Sequence, residues 1–443
     1  MQFFTLLRQA PRQLAFGALH SFGSSFGQTF LVALFVPFIS ASLALNETEF
    51  ANIYAGITIA SALCLPVVGR WIDKVDILSY SLATMALLAL GCVMISLAGN
   101  VWMLIAALFV LRLAGQGLMS HVSMTGIARY FSRSRGRALA IASFGFPLAE
   151  AILPATLLAL IAAFGWRYTY AGSAVFILVI LLPAAIWLIR GDAKFRKAPT
   201  RSPAKSNESP NTSAATNAAP SNAAPSNADS TESPSPDASS DHPRLFKSLY
   251  VWFCMPMLAA PPLIMTALFF HQGAISTHKE IELGWFAAGF TVFAITSVLG
   301  AFGSGPLIDK HSARRLFPWH LIPMMVGIAI LALTTTPWVI LIYMGLVGIT
   351  VGFATTLRTA IIPELVPLDE IGAVRSTLTA VMVLASAMGP AIYGWMFAAD
   401  ISIAMMLVIT LIASTVVSIG SWFSERPGFY VPPNIAPQES HSG

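Results

Sequence analysis

Charged residues are scarce in this chain, and their scarcity excludes an ordinary soluble protein. Only 10% of the 443 residues are Asp, Glu, Lys or Arg, and 56% are apolar, whereas a soluble domain carries about a quarter charged residues. Crossing a hydrocarbon core of about 30 Å takes roughly 20 mostly apolar residues in a helix. Such runs recur along the whole chain, so we predict an all-α polytopic membrane protein.

Cysteine is almost absent, and so are the motifs of nucleotide and metal chemistry. Cys64, Cys92 and Cys254 lie inside apolar runs without CxxC or Cys/His spacing, which argues against a disulfide framework or a zinc site. The sequence holds no Walker A or other glycine-rich nucleotide loop. We therefore expect no metal, no cofactor and no catalytic residues. A membrane-embedded enzyme is disfavoured because the short outer loops lack a cluster of acids, His or Ser.

Apolar runs bounded by charge, Pro-Gly or Asn predict twelve transmembrane helices in two sets of six. The first run follows Arg8 and Arg12, is too long for a signal-peptide core and is interpreted as an uncleaved span. The predicted helices cover residues 14–40, 50–72, 77–98, 101–125, 137–163, 168–189, 248–272, 284–308, 315–334, 337–361, 372–398 and 401–423.

The two sets divide the chain into two six-helix bundles, at residues 1–190 and 248–426, with a cytoplasmic tail at 427–443. Between the bundles lies 191–247, most of which is rich in Ser, Pro, Ala and Asn. Such a composition buries too little surface to fold. We predict a disordered linker that reaches on the order of 40 Å and tethers the bundles without binding substrate.

The distribution of basic residues predicts the orientation. With a cytoplasmic N-terminus, 22 of the 25 Lys and Arg fall on the cytoplasmic side, and the exceptions are Arg112, Arg167 and Lys279. By the positive-inside rule, both termini and the linker are cytoplasmic. We expect a multi-pass protein of the plasma membrane, in bacteria the inner membrane. Since this topology explains the net charge of +5, we infer no nucleic-acid partner.

One phrase occurs twice, as GRWIDK at 69–74 and GPLIDK at 305–310, each at the cytoplasmic end of the second helix of its set. Gly permits close helix approach, and Asp at the membrane edge can cap the dipole of a helix from the other half. Arg358 either closes the inner mouth of a cavity or is an ordinary positive-inside arginine. The predicted gating residues are Gly69, Asp73, Lys74, Gly305, Asp309, Lys310, Arg137 and Arg358.

These motifs resemble the major facilitator superfamily of secondary transporters, whose second-to-third-helix loop carries a Gly-x-x-x-Asp-Arg/Lys-x-Gly-Arg/Lys pattern. The segments RLAGQG at 112–117 and SRGRA at 134–138 are also similar to that family. The resemblance implies two pseudo-symmetric six-helix bundles that work by alternating access. The first copy lacks the second Gly and the basic pair. The fifth helix lacks the Gly-Pro-x-x-Gly-Gly run of many drug/proton antiporters.

Two charged residues are predicted to lie near the membrane midplane. Arg112 is about eleven residues into its helix, or about 17 Å deep, and Glu150 reaches a similar depth from the other side. A cation there costs at least about 2.5–3.5 kcal/mol unless it faces a partner or a water-filled cavity. We expect a pair, which either forms a proton-sensitive switch with Arg112 holding an anionic substrate, or only joins two helices.

Polar residues also recur at four-residue spacing on the first and fourth helices. The stripes are His20, Ser24 and Gln28 on the first, and Arg112, Gln116 and Ser120 on the fourth. Stripes that lipid would not solvate are expected to line a central cavity. The predicted substrate and coupling residues are Arg112, Glu150, Gln28, Gln116, His20 and Ser24.

The resulting hypothesis is a monomeric secondary active transporter in the lipid bilayer, driven by an ion gradient. Arg112 favours a small organic anion, similar to a monocarboxylate, as the substrate, and a proton as the coupling ion. A drug or metabolite efflux antiporter stays open, as does a non-transporting sensor on the same fold, because a fold does not determine its cargo.

Overall fold

The fold is a helical membrane bundle. The computed structural model describes residues 2–131, 134–196, 249–365 and 371–424, and every regular element within those ranges is a helix. The spans are α1 Pro11–Leu43, α2 Glu47–Asp73, α3 Ile77–Ser96, α4 Val101–Tyr130, α5 Arg135–Phe164, α6 Trp166–Ile189, α7 Leu249–Phe270 continued by Gln272–Lys279, α8 Leu283–His311, α9 Ala313–Leu333, α10 Val339–Leu365, α11 Ile371–Ala398 and α12 Ile403–Ser424.

Eleven helices in the described ranges are long and apolar enough to cross a membrane. A twelfth span results when the two parts of α7, which meet at a bend of 58°, are counted together. The twelve predicted spans are therefore confirmed. The bend in α7 is an addition, because the prediction ended this span at 272 and treated it as one straight helix.

Local side-chain chemistry explains where several helices begin and end. Asn46 and Glu49 form a capping box at the start of α2, in which each side chain accepts a hydrogen bond from the other's backbone N–H, at 2.8 and 3.0 Å. Asn100 caps α4 by accepting from the N–H of Met103 at 2.9 Å. The single-residue connection between α5 and α6 is Gly165, whose φ of +81° favours glycine.

Antiparallel spans give the molecule two faces. The loops after α1, α3, α5, α7, α9 and α11 are short and lie on one side, here named the odd face. The loops after α2, α4, α8 and α10 lie on the opposite side, here named the even face, together with residues 190–196. The Asp-Lys phrases therefore both end at the even face.

The two halves join through α2 with α11, α5 with α8, and α1 with α7. The odd-face part of α1, Thr29–Leu43, packs against α7, while the even-face part, Pro11–Ser24, packs against α4, α5 and α6 of its own half. Among the described residues, three hydrogen bonds cross between the halves near the odd face, and we name this contact the odd-face seam. They join Glu47 to His271, Thr48 to Gly394 and Asn52 to Trp395, at 3.2, 2.6 and 2.9 Å.

The start of the predicted linker is folded, which corrects its boundary at 191. Residues 193–196 form a short helix capped by Asp192, whose side chain accepts from the N–H of Phe195 at 2.9 Å. The Phe195 ring is buried, with its centroid 5.4 Å from that of Phe16 and 5.1 Å from that of Tyr130. Because the Phe195 ring is apolar and follows α6 closely, it packs against the N-terminal half instead of entering water. The rest of the predicted linker and the predicted tail at 427–443 lie outside the described residues.

Candidate functional site

The first span is broken at mid-depth. Residues Ser25–Gly27 form a single 3-10 turn, Gln28 is extended with φ −81° and ψ 152°, and the α-helix restarts at Thr29. A break of this kind leaves backbone carbonyls without helical partners. The carbonyl of Gly27 accepts a hydrogen bond from Nη1 of Arg112 at 2.9 Å. The break in α1 and the cation on α4 therefore satisfy each other.

The fourth span is irregular at the same level. Its segment Arg112–Met119 is a π-helix, in which more residues are needed per turn than in an α-helix. Here the two backbones nearly touch, since a Cβ atom on Gly115 would lie 2.6 Å from the Cα of Gly27. This Gly27–Gly115 crossing places the break of α1 directly against the π segment of α4.

Arg112 is enclosed by its own half, and its predicted ion pair with Glu150 is not formed. The side chain is 1% exposed, with Thr29 Oγ1 at 3.4 Å from Nη1 and the ring of Tyr54 at 4.9 Å from Cζ. Its Nε and Nη2 atoms are buried without a hydrogen-bond partner in the described part of the chain. The pair fails because Arg112 points towards α1 and α2, whereas Glu150 belongs to α5; equal depth did not mean facing positions.

Glu150 is half-buried in α5, and its carboxylate has no hydrogen-bond or ion-pair partner among the described residues. The next residue, Ala151, accepts a hydrogen bond from Thr291 Oγ1 of α8 at 2.8 Å. Glu150 therefore lies next to the boundary between the halves. A lone carboxyl group at this depth can bind a proton and become neutral.

Two glutamines of the predicted polar stripes are free among the described residues. Gln28 and Gln116 are half-buried, and neither amide has a partner among the described residues. Both lie at the Gly27–Gly115 crossing, where the backbone N of Gln116 is 2.8 Å from a Cβ built on Gly27. Their unpaired amides can hydrogen-bond a polar solute.

His20 and Ser24 are corrected to packing residues. The buried His20 ring donates from Nδ1 to the carbonyl of Phe16 at 2.8 Å and accepts at Nε2 from the hydroxyl of Ser81 at 2.6 Å. Ser24 is buried and donates to the carbonyl of Ser21 within its own helix, at 2.7 Å. With their hydrogen bonds already made inside the half, neither side chain lines an open cavity.

The Gly27–Gly115 crossing yields a stability prediction. In Gly27→Ala the new methyl carbon would meet the carbonyl oxygen of Leu111 at 2.5 Å, and backbone cannot move aside as a side chain can. We expect the free energy of unfolding to fall by about 1–3 kcal/mol, the usual cost of overpacking. Thermal unfolding in detergent measures this. Gly56→Ala is the matched control because nothing lies within 4 Å of its Cβ; equal losses in both variants would contradict the close crossing.

Among the described residues, no hydrogen bond or ion pair joins the first Asp-Lys phrase to the other half. Asp73 is 66% exposed and forms an ion pair with Arg129 of α4, whose Nη1 also donates to the carbonyl of Ile72 at 3.0 Å. The carbonyl of Gly69 accepts from Nε2 of His121, also on α4, at 3.2 Å. The expected cap on a helix of the other half is thus replaced here by a nearer cation within the N-terminal half.

The remaining predicted gating residues lie at the even face. Lys74, Asp309 and Lys310 are exposed, and Arg137 is half-buried near the start of α5. A Cβ on Gly305 would meet nothing within 4 Å. The close helix approach predicted at this glycine is therefore not present in this conformation, and the latch role of the phrase stays a prediction about another one.

Arg358 lines a cavity of about 180 Å³ inside the C-terminal half, formed by α7, α9, α10 and α11. The half-buried guanidinium has one described partner, Sδ of Met382, at 2.7 Å from Nη1. The walls are mostly apolar and include Pro261, Met265 and His320. The sequence left Arg358 between a gate and a snorkelling residue. It could not show that the described residues of three other helices enclose the guanidinium without supplying a carboxylate.

Sequence reasoning gave no role to the odd-face seam. The available signal was weak: a His-Gln-Gly triplet at 271–273 inside an apolar run, and an acid, Glu47, in the first loop. No cluster of three or more His, Cys, Asp or Glu that could bind a metal occurs among the described residues. The polar groups available for chemistry are thus isolated charges and amides.

The chain was compared with known proteins. A family model described as "Major Facilitator Superfamily" matches residues 18–290 and 274–440. The glucose transporter GlcP of Staphylococcus epidermidis (strain ATCC 12228 / FDA PCI 1200) is 28% identical over 148 residues, which are 33% of this chain and 33% of that protein. The chain thus spans about a third of the length of this curated relative.

Two solved structures have a similar fold. One is a mutant of the nucleoside transporter NupG, with a TM-score of 0.67 and 11% identity over 95% of this chain and 100% of that one. The other is a bacterial homologue of the human lysosomal transporter Spinster, inward-facing and unoccupied, with a TM-score of 0.63 and 14% identity over 94% and 96%. Such identities show the fold alone. The family match across both halves shows that the chain belongs to the Major Facilitator Superfamily, a family of transporters and not of enzymes.

Proposed function

We propose that this transporter moves a small organic anion, with a carboxylate as its favoured charged group, together with a proton. The odd face is external and the even face cytoplasmic, as the distribution of basic residues predicts. The protein works as a monomer in the plasma membrane, in bacteria the inner membrane, with the linker as a cytoplasmic tether. The hydrogen bonds of the odd-face seam support an inward-facing conformation, closed on the external side.

The observation that carries the anion proposal is the guanidinium of Arg358, which has no acidic partner among the described residues. An isolated charge away from water costs free energy unless it finds a partner, and the described residues supply only a thioether sulfur. A carboxylate in the cavity would accept two parallel hydrogen bonds from the guanidinium. The volume of about 180 Å³ is below the roughly 300–1,000 Å³ of drug-sized sites, which favours a small solute over a drug.

The N-terminal half adds a second positive charge and a proton acceptor. Arg112 is buried without an acidic partner, so it makes the interior attractive to anions even though its side chain does not reach the cavity. Glu150 is unpaired beside the boundary between the halves. It can accept a proton from one side and release it to the other as the halves rearrange, which would couple anion movement to the pH gradient.

A neutral, hydrogen-bonding solute is a second candidate. The free amides of Gln28 and Gln116 offer both donors and acceptors, which suit hydroxyl-rich molecules as well as anions. The relatives carry names that fit this chemistry, since one is called a glucose transporter and another a nucleoside transporter. The two candidates differ in whether transport requires a negatively charged substrate.

Uptake into proteoliposomes tests the proposal. The panel contains radiolabelled monocarboxylates of increasing length, with the methyl ester of each as an uncharged control of nearly the same shape, and glucose and a nucleoside. We expect the acid to be taken up, the ester not, and the rate to rise with an acidic exterior. Equal uptake of ester and acid would contradict the anion proposal, and no flux of any solute would favour the sensor hypothesis.

The variant Glu150→Gln tests the coupling separately. It keeps the size of the side chain but cannot exchange a proton. We expect an acidic exterior no longer to stimulate uptake, while exchange of labelled for unlabelled anion continues. Retention of full pH stimulation would exclude Glu150 as the proton carrier.

A further inference from the structure

His271 joins three helices at the odd-face seam. It lies at the bend of α7 and is 1% exposed. Its Nδ1 is 3.2 Å from Oε2 of Glu47 at the start of α2, and its Nε2 is 3.0 Å from the backbone carbonyl of Pro390 on α11. The contact with Glu47 crosses between the halves, whereas the contact with Pro390 anchors the ring within the C-terminal half.

Both ring nitrogens of His271 face hydrogen-bond acceptors. A carboxylate oxygen and a carbonyl oxygen can only accept, so each nitrogen must carry a hydrogen to make its bond. Neutral imidazole carries one such hydrogen and imidazolium carries two. The geometry is therefore completed by the charged form, which also forms an ion pair with Glu47. Loss of the ring proton leaves one nitrogen lone pair directed at an oxygen.

The surroundings of the ring add no competing charge among the described residues. The neighbouring rings are those of Phe270, Tyr393 and Phe397. Of these only Tyr393 titrates, and its hydroxyl is engaged with Thr410 Oγ1 at 2.6 Å. On the outer part of α7, Lys279 donates to the carbonyl of Thr334 at 2.9 Å. Glu47 is thus the charged group that His271 contacts.

The side chain next to His271, Gln272, disfavours closure of the odd-face seam. Gln272 is fully buried, and neither its Nε2 nor its Oε1 has a hydrogen-bond partner among the described residues. A buried amide without partners disfavours the closed seam, since water would satisfy both atoms once the seam opened. Closure is therefore a balance between the two hydrogen bonds of His271 and the unpaired amide of Gln272.

We propose that His271 is a positioning residue that makes closure of the odd-face seam dependent on a proton. Protonated His271 bridges Glu47 and Pro390 and closes the seam; the neutral ring cannot hold both bonds, and Gln272 then favours opening. The proton exchanges on the odd-face side only, so it sets which way the transporter faces without crossing the membrane. That this side is external rests on the proposed function; the pH dependence of the seam does not.

Cysteine accessibility tests the proposal without any transported solute. Ala51 is buried in the seam beside Gly394, so Ala51→Cys, in a protein whose three native cysteines are replaced, reacts with a membrane-impermeant maleimide only when the seam opens. The thiolate is the reacting form, so the rate at each pH is divided by that of Gly99→Cys, an exposed position in another odd-face loop. We expect this ratio to increase as the pH rises, by up to about tenfold per pH unit for an opening linked to loss of one proton. A ratio independent of pH would overturn the proposal.

Three variants in the same background separate the contributions. His271→Gln, with one amide in place of two ring donors, should label fast at every pH. Glu47→Gln should weaken the pH dependence, because the ring loses its charged partner. Gln272→Leu should label more slowly throughout, with the pH dependence kept. The matched control is His20→Gln, because His20 is also buried with both ring nitrogens hydrogen-bonded; it should retain the parental pH dependence.

The outcomes are distinguishable from failure to fold and from failure of the proposed function. Each variant is first checked for a single peak in size-exclusion chromatography, and Glu47→Gln and Gln272→Leu keep the test in force if His271→Gln does not fold. A pH dependence retained in folded His271→Gln would show that another group is responsible. Conversely, pH-dependent labelling in a protein that transports no anion would refute the proposed substrate and leave the role of His271 standing.

Discussion

Replacing Arg358 with Met is expected to abolish anion binding while leaving the protein at least as stable as the parent. Methionine fills similar space and packs well against Met382, the described partner of the guanidinium. Removing one member of a buried charge pair costs about 2–5 kcal/mol, which is about 30- to 5,000-fold in Kd. The unliganded protein, by contrast, loses an unpaired charge that was costly to hold away from water.

Two measurements on the same variant therefore move in opposite directions. Equilibrium binding of labelled monocarboxylate should be lost, and the thermal unfolding midpoint should hold or rise. Arg358→Lys should bind monocarboxylate with an affinity between those of the parent and Arg358→Met, since an ammonium keeps the charge but not the planar geometry of the guanidinium. Arg167→Met is the control, because Arg167 stacks on Trp166 and donates to the carbonyl of Ala98 at 2.9 Å; it should lower stability and spare binding. Undiminished anion affinity in Arg358→Met would refute the site.

A disulfide across the odd-face seam is expected to stop transport reversibly. In Ala51→Cys with Gly394→Cys the Cβ atoms start 2.8 Å apart, so a separation of about 1 Å reaches the usual disulfide spacing near 3.8 Å. That shift is small compared with the opening that alternating access requires. Oxidation should reduce uptake to the level of empty liposomes, and a reducing agent should restore it.

The comparison with single variants makes this result specific. In a background without Cys64, Cys92 and Cys254, each single-cysteine variant should transport at the same rate with and without oxidant. A cross-linked protein that still transports would mean that the halves do not separate at α2 and α11. In that case the solute must follow a path that leaves the seam closed.

The spans were predictable from the sequence because hydrophobic length is a local property. Each run of about twenty apolar residues had to become a helix in lipid, whatever its neighbours. The direction in which Arg112 points was not predictable from helical periodicity. The break at Gly27 provides the carbonyl that the guanidinium contacts, and the π segment that begins at Arg112 changes the faces of the residues after it.

Contacts that depend on conformation were also beyond the sequence. The predicted partner of Asp73 lay in the other half, but in this conformation Arg129 is nearer. The seam at His271 depends on three helices that are distant in sequence meeting at one point. Glu150 was located at the right depth, yet depth alone could not show that Arg112 points away from it.

The anchored ring of Phe195 determines where the two halves of this polypeptide can be produced as separate fragments. A cut after 190, at the end of α6, would remove the Phe195 ring and with it a packing partner of Phe16 and Tyr130. It would also remove the ion pair from Arg196 to Asp76 at 3.0 Å. A cut after 196 keeps both. In fragment complementation, the cut should therefore come after residue 196. A tag or reporter should also be inserted after this residue.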